Sequence, residues 1–130
     1  FHDEGYLLLR CSDITNVSFS EESFYESICL NEKLQKRGFD CPVIPSDTME
    51  GILRQLEQYP RYITLHCEKE IDECRFFLGK IKKIEESNIK FSSIDGDGQW
   101  YPDVDVIPYK RITMIAWDDY YANMYYKYRG

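Results

Sequence analysis

The side chains best equipped for chemistry are two histidines and five cysteines, and their spacing argues against most of it. His66 directly precedes Cys67 in an alternating apolar run, and neighbours on a strand point to opposite faces. They cannot both ligate one ion without distortion. A zinc centre would have to join one of them to Cys74 and Cys41, without the close pairs that structural zinc sites use. A Cys–His nucleophile needs a thiol within reach of an imidazole and an orienting third group. Cys74 and His66 can lie on adjacent strands, yet nothing local marks such a site. Asp95-Gly96-Asp97-Gly98 begins like a calcium loop, but it lacks the third acidic ligand and the closing Glu, and strands flank it. A hairpin turn is the expectation there. There is no phosphate loop, nucleotide fingerprint or serine elbow. The expectation is therefore a non-enzymatic protein with no catalytic residue, metal or cofactor.

Three groups of residues could instead bind something. The chain carries a net charge of −7, which attracts basic partners and repels phosphate backbones. Glu68, Glu70, Asp72 and Glu73 concentrate that charge in one turn, a candidate acidic face for a basic protein. Such a face fits an inhibitor or immunity-type protein; solvated loop charge is the plainer reading. Lys80, Lys82 and Lys90 gather on one hairpin, with Phe76 or Phe91 nearby. This is the alternative site, a surface for single-stranded nucleic acid built from charge and stacking, although lysines also protect edge strands. Tyr121, Tyr125 and Tyr128 form with Met124 one stripe of a C-terminal helix, either packed on the sheet or offered as an aromatic interface. The expected partner is another protein, a basic one where the acidic face is the site, with nucleic acid second; self-association stays open and no membrane partner is expected.

The elements that must position these groups are short. Tyr6–Cys11 reads as a strand, Ser12-Asp13 as a corner, and 14–19 as an alternating strand. Ser20 caps a helix to about Arg37, and 39–45, with two prolines, is a connector. Asp47 with Glu50 resembles a capping box, after which Met49, Ile52, Leu53 and Leu56 make a helical apolar stripe. From Tyr62 the signal is β, in five or so short strands. Gly79 sits inside the longest, where a bulge or bend is expected. The tail from Asp118 to Tyr128 reads either as a short helix capped by Asp118 or as a last strand, the helix being the preferred reading.

Two of these segments, ninety-eight residues apart, follow one pattern. Ile14-Thr15 aligns with Ile112-Thr113, Val17 with Ile115, and Phe19 with Trp117. Such self-similarity suggests two related small β units, with comparable surroundings for Ile14 and Ile112. The division expected is 1–38, the closing strands and helix of an incomplete first unit; 39–60, a connector with a helix; and 61–130, a small β-barrel.

At 130 residues, 43% hydrophobic and 15% aromatic, the chain can bury a core. No apolar run approaches the roughly 20 residues of a membrane helix. Phe1-His2-Asp3-Glu4 is acidic and unlike a signal peptide. An odd set of cysteines suits reduced thiols, leaving one Cys67–Cys74 disulfide as an alternative. The expected compartment is the cytoplasm.

The stretches Ile63-Thr64-Leu65-His66-Cys67-Glu68, Gly79-Lys80-Ile81, Asp97-Gly98-Gln99-Trp100 and 107–113 resemble an uncharacterised bacterial family. Its members look like two small Sm-like or SH3-like barrels in tandem. The resemblance implies an α+β, mainly β fold, with a small barrel over about 60–128 preceded by a strand pair and two helices. The opening strands of the first barrel have no counterpart here. It implies no activity, since a fold is not a function.

Overall fold

The computed structural model describes residues 5–18, 46–69 and 75–129. The expected helix from Ser20, the 39–45 connector, Cys29, Cys41 and Cys74 lie outside them. The fold is α+β and mainly β. Its strands are β1 (Tyr6–Leu9), β2 (Ile63–Cys67), β3 (Arg75–Ile84), β4 (Asn88–Ser93), β5 (Asp105–Pro108) and β6 (Met114–Trp117). They form one antiparallel sheet in the order β1-β6-β2-β3-β4-β5. A single 3-10 turn follows β1 at Cys11–Asp13, and another follows β5 at Tyr109–Arg111. Among the described residues two helices, α1 (Met49–Glu57) and α2 (Tyr120–Arg129), flank the sheet.

The period-2 alternation of β2 sorts its side chains. Ile63, Leu65 and Cys67 enter the main core with Ile89, Phe91, Ile107, Ile112, Ile115 and Trp117. The stripe on α1 closes that core through Ile52, Leu53 and Leu56. Thr48, not Asp47, caps α1: its Oγ1 accepts from the Gly51 amide at 3.1 Å. Thr48 is the residue whose backbone stays extended next to the first turn, so its side chain alone reaches the orphan amide. A smaller cluster of Tyr62, Leu78, Ile94 and Ala122 forms where α2 packs beside the sheet. Asp119 Oδ1 accepts from the Ala122 amide at 2.8 Å, placing the cap of α2 one residue later than the expected Asp118. Asp118 instead turns the chain with a φ of 55° and pairs with Arg61 and Asn123.

Two expectations about the sheet are also corrected. Among the described residues the sheet does not close into a barrel: β2 pairs with β6, but β5 and β1 remain as edges. The bulge in β3 falls between Ile81 and Lys83 rather than at Gly79. Gly79 answers a different need, because a β-carbon there would overlap the Ser92 carbonyl oxygen.

The two similar segments take similar backbones in unlike surroundings. Ile112 is 1% exposed in the core, whereas Ile14 is 42% exposed. Strand β1 joins the sheet through β6, and Tyr6 stacks on its register partner Trp117 at 5.5 Å. Residues 14–18 beyond it lie exposed and outside any strand. Among the described residues no helix is long and apolar enough to cross a membrane.

Candidate functional site: an aromatic and acidic cleft

Antiparallel pairing sets His66 opposite Phe76, and both rings project on the side of the sheet away from Cys67. The two rings meet edge to face at 5.0 Å. Phe76 then meets Tyr121 of α2 at 6.2 Å, and Tyr121 meets Tyr125 at 4.9 Å. A row of aromatic rings therefore runs from strand to helix. The Tyr121 hydroxyl donates to the Tyr125 oxygen at 3.3 Å, and the Tyr125 hydroxyl donates to the Gly96 carbonyl at 2.7 Å. That relay ties α2 to the 95–98 turn. Its bond to Tyr125, assisted by burial, pushes the Tyr121 hydroxyl above its ordinary pKa.

The Phe76 and Tyr121 rings of this row form one wall of a cleft of about 560 Å³. Arg75, Phe76 and Leu78 of β3, Ile94 and Asp95 after β4, and the Tyr101–Asp105 loop line it with Tyr121. Phe76 and Tyr121 are each about half exposed, at 49% and 50%, and Tyr101 is exposed as well. Three carboxylates, Asp95, Asp103 and Asp105, face one guanidinium, Arg75, so negative charge predominates. Two of the carboxylates are fixed. Asp95 Oδ1 accepts from the amides of Asp97 and Gln99 at 2.9 and 2.8 Å, and Asp105 Oδ2 accepts from Ser93 Oγ at 2.8 Å. The Asp95–Gly98 segment is thus a turn stitched by its own carboxylate, with Gly98 at a φ of 74°. Exposed rings beside acids suit a ligand with both apolar surface and positive charge.

The residues singled out from sequence are placed differently from one another. Glu68 is exposed and its Oε1 lies 3.3 Å from His66 Nδ1; Glu70, Asp72 and Glu73 lie outside the described residues. Tyr121 lines the cleft and Tyr125 lies behind it, bonded to Tyr121 and to the Gly96 carbonyl, but Tyr128 does not join them. It is exposed beside Lys127, because the side of α2 that packs inward carries Ala122, Tyr125 and Tyr126. The lysines separate too. Lys80 lies over the rings of Tyr62 and Tyr126, at 5.7 and 5.4 Å. Lys90 stands opposite Lys83, and Glu85 Oε1 lies within 3.3 Å of Lys83 and 3.7 Å of Lys90. The bulge at Ile81–Lys83 shifts Lys82 out of simple alternation.

Sequence reasoning did not assemble Arg75, Tyr101, Asp103 and Asp105 around Phe76. The acids at 95–105 read as turn charge, and only the strand pairing brings them beside β3. Among the described residues no group of histidine, cysteine, aspartate and glutamate side chains could hold a metal ion. Compared with known protein families, with curated proteins and with solved structures, the chain matches none.

Proposed function

We propose that this protein is a non-enzymatic protein-binding module that takes a basic, partly apolar segment of a partner in its aromatic and acidic cleft. One observation carries the reading: half-exposed Phe76 and Tyr121 share a single cleft with Asp95, Asp103 and Asp105. Aromatic residues concentrate at interfaces because they bury large area with few rotatable bonds. The surrounding carboxylates select for positive charge, and the net charge of −7 favours the encounter. In an inhibitor or immunity-type version, the same face would cover a basic site on another protein in the cytoplasm. The sheet itself we read as an opened small barrel of Sm-like or SH3-like plan. Pairing of β2 with β6 and the 3-10 turn before β6 support that reading.

Peptide-display selection on the folded chain tests the function. Recovered sequences should combine Lys or Arg with apolar residues, and Phe76→Ser should abolish their retention. Recovery of acidic sequences, or retention indifferent to Phe76→Ser, would overturn the reading. Retention of single-stranded RNA dependent on Lys82 and Lys90 would favour the nucleic-acid alternative instead.

A further inference from the structure

The similarity between the two segments extends to their backbones. In each, a strand leads into one 3-10 turn and out again. The residues entering the turn, Arg10 and Pro108, have φ/ψ of −76°/123° and −63°/139°. The residues leaving it, Ile14 and Ile112, have −85°/119° and −72°/118°. The Ile14 amide donates to the Cys11 carbonyl at 3.2 Å, and the Ile112 amide donates to the Tyr109 carbonyl at 3.1 Å. Position for position, 7–9 of β1 correspond to 105–107 of β5, and 14–18 correspond to the approach to β6 and its first residues.

One pairing between the copies exists within the chain: β1, the leading strand of the first, lies antiparallel to β6, the trailing strand of the second. The reciprocal pairing, β5 with 14–18, is not made within the chain. Among the described residues β5 is an edge of the sheet, and 14–18 are all exposed. An open edge presents a row of backbone donors and acceptors that templates another strand.

We propose that a second copy of the chain completes this pairing, with β5 of one molecule lying antiparallel to residues 14–18 of the next. The observed register supplies the detail. Leu8 stands opposite Ile115, Leu7 opposite Ala116 and Leu9 opposite Met114. Moved along by the ninety-eight-residue spacing, these become Val106 opposite Val17, Asp105 opposite Ser18, and Ile107 opposite Asn16. Val17 and Val106, at 65% and 58%, are the most exposed valine, leucine or isoleucine side chains among the described residues. The transferred register sets these two against each other and removes both from water. Two different edges meet, so the contact is head-to-tail and each added molecule offers the same two edges again, giving a ring or an open chain.

Sedimentation velocity on the whole chain tests this, from about 1 μM to about 1 mM, the range of weak protein contacts. The unmodified chain should form species heavier than its 15.5 kDa, growing with concentration. Val17→Lys and Val106→Lys should each remain monomeric, with circular dichroism and melting temperature reporting that both are folded. Each variant keeps one intact edge, so an equimolar mixture should form a dimer and nothing larger. An unmodified chain that stays monomeric throughout overturns the proposal. So does self-association of Val17→Lys alone, which would indicate β5 pairing with β5, or a mixture that stays monomeric or grows past a dimer.

Discussion

Phe76 of β3 and Tyr121 of α2 meet edge to face, ring centroids 6.2 Å apart at 63°. Each is half exposed, so the contact joins strand to helix without hiding either ring from a ligand. Such paired, partly exposed aromatics are the usual anchors of an interface. Phe76→Ala and Tyr121→Ala should each weaken binding of a basic peptide by roughly tenfold or more, about 1.4 kcal/mol. Isothermal titration calorimetry checks this, and thermal melts should change little because neither side chain belongs to the main core.

Binding should also fade with salt. Asp95, Asp103 and Asp105 act on a ligand at an open surface, where charges are screened over roughly 8 Å at physiological ionic strength. Raising sodium chloride should weaken the complex steadily in the same calorimetric assay. Affinity unchanged at high salt would remove the carboxylates from the account.

The cap of α1 is a separate test of the fold. Thr48→Ala leaves the Gly51 amide without its side-chain acceptor and should cost about 1 kcal/mol in urea unfolding. Thr48→Ser keeps the acceptor and should cost much less. Asp47→Ala should be close to neutral, since Asp47 is not the capping residue.

Close approach of β3 to β4 makes Gly79 intolerant of any side chain. Gly79→Ala sets a β-carbon against the Ser92 carbonyl oxygen and should destabilise by about 1–3 kcal/mol, as overpacking does. Chemical denaturation measures it directly.

Alkaline pH should destabilise the protein through the tyrosines whose pKa the fold raises. Burial, reinforced by the neighbouring Tyr126, raises the Tyr62 hydroxyl above its ordinary pKa of 10.0. The fold favours the neutral form, so this contribution is fully present below about pH 10 and is lost as pH rises through the folded value. Tyr62→Phe should reduce the loss of urea midpoint above that pH. It should not abolish the loss, because Tyr109 and Tyr121 are raised as well.

Much of this architecture was legible locally. The stripe Ile52, Leu53, Leu56 predicted the buried face of α1, and alternation around His66 and Cys67 predicted their opposite faces. The longest strand, around Gly79, and the turn at Asp95–Gly98 followed from residue type. What was not legible depends on pairing between distant segments. The bulge at Ile81–Lys83 cannot be read from residue type, and it decides which lysines are neighbours. Whether β5 closes onto another strand is a property of the whole sheet, so an open edge and a barrel share one sequence pattern. The cleft was hidden for the same reason: Phe76, Asp103 and Tyr121 become neighbours only through the sheet order and the docking of α2.

Amide chemical-shift mapping of the labelled chain offers the sharpest single comparison. It would be titrated with a Lys- and Arg-containing apolar peptide and, separately, with single-stranded RNA. Saturable shifts from the peptide should centre on residues 75–78, 93–105 and 121, with none from RNA. Shifts confined to residues 80–90 and produced by RNA, or no saturable response to the peptide, would contradict the account.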